Sequence, residues 1–272
     1  MPILKLAFAS DLHLPITSHA AISSLAREVA QFGPDALFLA GDIAESLLDL
    51  SECLRMIRKT VQAKIFVLPG NHDLWGRDCP SRIKWETRLA EVVADAGCEW
   101  FEGRSWSHQG IGVAGTIAWY DYSANDPSLS ATPDDFAREK KYFNPDANEL
   151  DWLWTDPEFA QLVAKPFLAT LDRLEADPTV RQIVVTTHVP LVECQMCRDP
   201  ANADWAFSNA YFGNLALGDQ VLKRRKVSHI ISGHTHVERR GRVTRPEMPP
   251  VDAVVIPSHY NAPSWVQLTL TY

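Results

Sequence analysis

The chain has 272 residues, of which 46% are hydrophobic and 22% charged, with a formal net charge of -8. That length fits one large α/β domain, and that balance buries a core of ordinary size without covalent staples. The acidic total argues against a protein that grips nucleic acid over a broad basic surface. The five cysteines (Cys53, Cys79, Cys98, Cys194 and Cys197) are odd in number and scattered, which argues against a disulfide framework.

The opening stretch Met1 to Ala9 is too short for a signal peptide, and no run approaches the length of a membrane span. A cytoplasmic protein is the expectation. Ile3 to Ala9 reads as a buried strand that stops at Ser10-Asp11-Leu12-His13. Ile22, Leu25, Ala26 and Val29 recur at helical spacing, and Gly33-Pro34 ends that helix. A second strand, Ala36 to Ala40, stops at Gly41-Asp42. A second helix carries Leu47, Leu50, Leu54, Ile57 and Val61 on one face. A third strand, Ile65 to Leu68, stops at Pro69-Gly70-Asn71-His72-Asp73.

This alternation predicts a sheet covered by helices, with chemistry gathered at the carboxyl ends of the strands. Residues 75 to 180 are less regular and rich in aromatics and turn signals. Strands resume at Gln182 to Thr187, before His188-Val189-Pro190, and at Val227 to Ser232, before Gly233-His234-Thr235-His236. Ala253 to Ile256 and Trp265 to Leu270 read as closing strands. Lys223 to Lys226 reads as a solvated helix end, and Arg239, Arg240 and Arg242 as a charged turn.

The strand ends collect Asp11, His13, Asp42, Asn71, His72, His188, His234 and His236. Mixed carboxylate and imidazole donors suit Mn, Fe, Zn, Co or Ni better than calcium, and the set is too large for one ion. Side chains alternate along a strand, so Asp11 and His13 are expected on one side of an extended segment, as are His234 and His236.

Asp11-Leu12-His13, Gly41-Asp42, Gly70-Asn71-His72-Asp73, His188 and Gly233-His234-Thr235-His236 resemble, in order, the full motif set of the calcineurin-like metallophosphoesterases. The resemblance implies a four-layer α/β/β/α sandwich, two mixed sheets flanked by helices, as one domain over 1–272 with an irregular aromatic-rich insertion at about 119–165. It implies two transition-metal ions (Mn, Fe or Zn, with Ni, Co or Mg as further options). Asp11, His13 and His236 would ligate one ion, Asn71, His188 and His234 the other, and Asp42 would bridge them.

The same resemblance makes Asn71 and His72 substrate contacts and His72 the proton donor to the leaving group. Glu45 takes the position of the acidic residue that orients this histidine, where aspartate is commoner. Asp73 reads as structural. The implied reaction is hydrolysis of a phosphate ester by a metal-bridging hydroxide. The absence of an arginine after Gly41-Asp42 favours a phosphodiester over a monoester on a small molecule or nucleotide. A non-catalytic protein-binding scaffold is the rival, and the complete motif set argues against it. A small-molecule ester is the expected partner, and nucleic acid stays open as a substrate.

Several weaker signals remain. Trp119, Tyr120 and Tyr211 are the candidates for an aromatic pocket wall, with Asn209 and Asn214 near them; satellite core is the other reading for these aromatics. Cys194 and Cys197 have zinc-like spacing, but one pair cannot close a structural site. Gly41 and Gly70 read as tight strand-to-loop turns.

Overall fold

The computed structural model describes residues 3–272. The chain runs β1 (Ile3–Ala9), α1 (His19–Phe32), β2 (Ala36–Ala40), α2 (Leu47–Thr60) and β3 (Lys64–Leu68). Next come α3 (Ser81–Ile83), a π-helical stretch over Lys84–Arg88, α4 (Leu89–Asp95), β4 (Glu99–Trp100), β5 (Arg104–His108) and β6 (Ile111–Thr116). Three helices follow: α5 (Pro133–Phe143), α6 (Asp146–Glu149) and α7 (Asp156–Ala176). The chain closes with β7 (Gln182–Thr187), α8 (Ala203–Ser208), α9 (Leu215–Val221), β8 (Val227–Ser232), β9 (Arg239–Arg245), β10 (Met248–Val255) and β11 (Trp265–Thr271).

Local signals explain the helix limits. Ser18 caps α1 by accepting the Ala21 N–H, and Gly33, at φ 65°, closes it in the left-handed conformation that glycine takes without strain. Ser46 caps α2 through the Asp49 N–H. Thr132 with Asp135, and Thr155 with Glu158, form capping boxes at α5 and α7.

The strands form two mixed sheets, in the orders β11-β1-β2-β3-β4 and β5-β6-β7-β8-β10-β9. The β1, β2 and β3 strands run parallel, as do β6, β7, β8 and β10; β11, β5 and β9 add antiparallel edges. Phe8, Phe38, Phe66, Phe101, Val113, Val184 and Ile231 fill the space between the sheets. Ile22, Leu25 and Val29 of α1, with Leu50, Leu54 and Ile57 of α2, cover the outer face of the first sheet. Each such side chain, once buried, contributes about 1.5–3 kcal/mol. Phe167, Leu171 and Leu174 of α7, with Leu217 and Val221 of α9, cover the second sheet. The result is the expected four-layer α/β/β/α sandwich.

Arg239, Arg240 and Arg242 lie in the edge strand β9 rather than in a turn. Pairing with β10 supplies the backbone partners, and Asp252 of β10 accepts from Arg242. Among the described residues, no helix is long and apolar enough to cross a membrane.

Candidate metal centre

The parallel strands of both sheets deliver their carboxyl ends to one place. Asp11 and His13 follow β1, Asp42 follows β2, Asn71 and His72 follow β3, His188 follows β7, and His234 and His236 follow β8. Their donor atoms form three overlapping groups that could hold a metal ion: Asp11, His13 and His236; His13, Asp42 and His72; and Asp42, His188 and His234. No cysteine joins them. Cys197 instead accepts from Arg239 through its sulfur, and Cys194 lies against Gly241.

The donors divide into two lobes around Asp42. His13 Nε2 lies 3.6 Å from Asp42 Oδ2 and 3.3 Å from His236 Nε2, which is 3.7 Å from Asp11 Oδ1. On the other side, Asp42 Oδ1 lies 3.4 Å from His188 Nε2. Asn71 Oδ1 lies 3.0 Å from His188 Nε2 and 3.1 Å from His234 Nδ1.

The residues do not reach these positions from extended backbone, as alternation along a strand suggested. Asp11, His13, Asp42, His234 and His236 all sit at positive φ, between 48° and 74°. That conformation costs a residue with a side chain about 1–3 kcal/mol, and it occurs here where the loops turn sharply to aim donors inward. Asp11 N and His13 N donate to the Gly41 and Asp42 carbonyls at 3.0 Å, locking the first loop to the second. Asp73 is the structural residue it was expected to be: it accepts the N–H groups of Ile43, Ala44 and Gly70.

Two glycines permit the close approach. A Cβ on Gly70 would strike Asp42 and lie 2.7 Å from His188 Cε1, and one on Gly41, itself at φ 93°, would lie 2.6 Å from His188 Nδ1.

Hydrogen bonds on the outer side of the rings fix what faces inward. His188 Nδ1 lies 2.9 Å from the Ala40 carbonyl, His234 Nε2 3.0 Å from that of Tyr211, and His236 Nδ1 2.9 Å from that of Ser258. A carbonyl only accepts, so these nitrogens carry the ring protons and the opposite nitrogens present lone pairs inward. Asn71 Nδ2 donates to Asp146 at 2.9 Å, which turns Asn71 Oδ1 inward as well.

Two imidazole lone pairs and a carbonyl oxygen therefore face one another at 3.0–3.1 Å. A cation among them would satisfy acceptors at that distance. Burial and the neighbouring His188 push the His234 ring down to about 4, which keeps its lone pair free near neutral pH. Burial likewise lowers His13, against the pull of Asp42 and Asp11. The donor set fits transition-metal ions.

His72 belongs to the second of these groups, but its ring also has partners outside the cluster. Its Nδ1 lies 3.3 Å from Glu45 Oε1, its Nε2 3.9 Å from Asp42 Oδ2, and its ring stacks on Trp75 at 3.7 Å. Burial alone would lower its pKa, but the Asp42 carboxylate and the Glu45 hydrogen bond prevail and hold it up to about 9. Glu45 is also ion-paired with Arg77, which in turn binds Glu149.

Three aromatics expected at a pocket wall are fully buried and have no surface to offer a substrate: Trp119, Tyr120 and Tyr211. Their polar tips find partners inside. Trp119 Nε1 donates to Asp156, Tyr120 Oη to Asp146, and Tyr211 Oη to the Phe136 carbonyl. Asn214 donates to the Trp119 carbonyl and caps α9, while Asn209 donates to the Trp205 carbonyl. Sequence reasoning missed Asp146, which sits in the irregular middle region behind Asn71 and carries no local motif.

The family model for calcineurin-like phosphoesterases matches residues 4–238, and the chain belongs to that family. Metal-dependent hydrolysis of phosphate esters at a binuclear site goes with that membership. The fold is similar to that of a phosphopantetheinyl hydrolase from Mycobacterium tuberculosis (22% identity, TM-score 0.69), with 96% of this chain and 95% of that one covered. It is also similar to a dimetal phosphatase from Danio rerio (13% identity, TM-score 0.57, 98% and 92% covered). A purple acid phosphatase from yellow lupin, Lupinus luteus, gives 13% identity and a TM-score of 0.55, with 99% of this chain and 49% of that one covered. No curated protein matches the chain by sequence.

Proposed function

We propose that the chain hydrolyses phosphodiesters at a pair of transition-metal ions. Asp11, His13 and His236 would hold one ion and Asn71, His188 and His234 the other, with Asp42 serving both. The arrangement of acceptors around Asn71 Oδ1, which a cation among them would satisfy, supports this reading. Bound there, such ions supply Lewis acidity, polarising phosphoryl oxygens and acidifying water so that a nucleophile exists near neutral pH.

The residues supply the rest. The ring protons held by Ala40, Tyr211 and Ser258 carbonyls keep the His188, His234 and His236 imidazoles aimed before any ligand arrives. His72, whose pKa Asp42 and the Glu45 hydrogen bond raise, stands beside the ligands and is placed to bind a phosphoryl oxygen and to give its Nε2 proton to the leaving oxygen. Glu45 fixes that ring through Nδ1, so the proton available for donation is the one on Nε2.

The preference for a diester rests on charge. A monoester dianion gains most from a free guanidinium. Arg77, packed over the Trp75 ring that supports His72, is neutralised between Glu45 and Glu149. The test compares bis(4-nitrophenyl) phosphate with 4-nitrophenyl phosphate, with manganese and with chelator, and adds a phosphopantetheinyl ester prompted by the mycobacterial relative. Metal-dependent turnover with the higher kcat/KM on diesters is expected. Turnover confined to the monoester would reverse the preference, and none on any ester would favour the scaffold reading.

A further inference from the structure

We infer that Tyr260 is the residue that recognises the organic arm of the substrate, an inference that rests on the metal-dependent esterase reading above. Tyr260 lies beyond the 4–238 segment that matches the family, so no family motif assigns it a role. Its ring centroid stands 5.0 Å from that of His236, nearly parallel at 29°, and 4.8 Å from that of His13. Despite those contacts it is 47% exposed. The ring therefore has one face on the rim of the donor cluster and leaves much of its surface open to what enters.

The loop that presents Tyr260 is tied to the residues it faces. His259 and Ala262 exchange backbone hydrogen bonds at 3.2 and 2.9 Å around the tip. Asn261 sits at φ 62°, a left-handed position that asparagine tolerates, and its N–H donates to Thr17 Oγ1. Thr17 in turn donates its N–H to the His13 carbonyl. Ser258, fully buried, accepts from His236 Nδ1 and donates its hydroxyl to the Asp11 carbonyl. An exposed phenol ring at a loop tip is normally mobile, but this one is held at both ends by the metal-binding loops.

Phe212 stands on the opposite lobe, 6.1 Å from His234, so the cluster has an aromatic edge on each side. The exposed part of the Tyr260 ring, beside His13 and His236, is within reach of a substituent on a phosphoryl group held at the cluster. The chemistry recognised is a flat or apolar substituent on phosphorus, engaged by the ring. An aromatic contact of this kind is worth about three- to tenfold in affinity.

The experiment uses phenylphosphonate and methylphosphonate, which are not hydrolysed, with manganese-loaded protein in a calorimeter. Wild type should bind the phenyl compound about three- to tenfold more tightly. Tyr260→Phe should keep that ratio, and Tyr260→Ala should bring it close to one, with both variants retaining the wild-type metal content. A preference that survives in Tyr260→Ala, or a wild type without one, overturns the inference. So does loss of metal from Tyr260→Ala, which would make the ring a support for His236. Wild-type turnover of bis(4-nitrophenyl) phosphate separates the two levels: turnover without a phenyl preference sinks the Tyr260 assignment alone, and no turnover sinks the esterase reading.

Discussion

Asp146 holds the side-chain amide of Asn71 in one orientation. Its Oδ1 accepts from Asn71 Nδ2 at 2.9 Å and from Trp75 Nε1 at 2.7 Å, while Oδ2 accepts from Tyr120 Oη at 2.8 Å. With three donors fixed on a fully buried carboxylate, the Asn71 amide cannot flip, and its oxygen stays toward His188 and His234. Asp146 also spans the two parts of the candidate site, since Trp75 carries the stacked His72 ring.

Asp146→Asn should therefore weaken one metal ion selectively. The variant can no longer accept from all three donors, and the Asn71 amide gains a competing orientation. Loss of an outer partner of this kind typically costs 10–100-fold in metal affinity. Metal titration should show that loss for the ion near Asn71 and near-normal affinity for the other. Equal weakening of both ions, or neither, would mean that Asp146 acts on the fold alone.

Asp42→Asn should act on both ions. One oxygen of Asp42 faces His188 at 3.4 Å and the other faces His13 at 3.6 Å, so a single carboxylate serves both lobes. Replacing it removes a negative charge shared by two cations. Elemental analysis should find less than full occupancy at each position, with turnover falling in step. Two full equivalents with normal turnover would remove Asp42 from the bridging position.

Glu102 predicts a pH dependence of stability that is independent of the metals. Burial drives its carboxyl from the ordinary value of 4.5 to about 8, against the hydrogen bonds it accepts from Thr116 Oγ1 and the Ile117 N–H. A carboxyl whose folded pKa is raised contributes stability that is full below its unfolded pKa and is lost as pH climbs through the folded one. Between about pH 4.5 and about pH 8, wild type should lose stability relative to Glu102→Gln, which stays neutral. Thermal melts of the two proteins across that range give the comparison. A constant difference between them would show that Glu102 ionises normally.

Much of the fold was legible because its first half alternates short apolar runs with amphipathic helices. The ends of β1, β2, β3, β7 and β8 each carried a polar signature, and the structure brings those loops together. What was not legible depended on partners distant in sequence. The sequence Arg-Ser-Trp-Ser-His of β5 is polar at every position but Trp106 and becomes a strand through pairing with β6. The basic run of β9 is a strand because β10 lies beside it. The left-handed backbone at Asp11 and His13 has no glycine to announce it. Trp119 and Tyr120 read as an aromatic pocket wall, but they lie in the core, where Asp156 and Asp146 accept from their polar tips. Tyr260 lies in a turn with no motif and meets the site through Ser258, Thr17 and the imidazole rings.

His72 gives the sharpest test of mechanism, because its neighbour Asn71 points at the donor cluster while its own ring stacks on Trp75 and binds Glu45. His72→Ala should keep the metal content and lose turnover in a way that depends on the leaving group. An alkoxide leaves poorly without a proton, so alkyl esters should suffer by about the 10²–10⁴-fold typical of general acid catalysis. Nitrophenolate departs well unaided, and its penalty should be much smaller. The lost contact to the phosphoryl group affects both esters alike, so the ratio of the two penalties isolates proton transfer. Glu45→Gln should move in the same direction but less far, since it weakens one of the interactions that raise the His72 pKa and leaves Asp42 in place. Equal penalties on both esters would reduce His72 to a binding residue. Loss of an ion from His72→Ala would instead place its Nε2, 3.9 Å from Asp42 Oδ2, among the ligands.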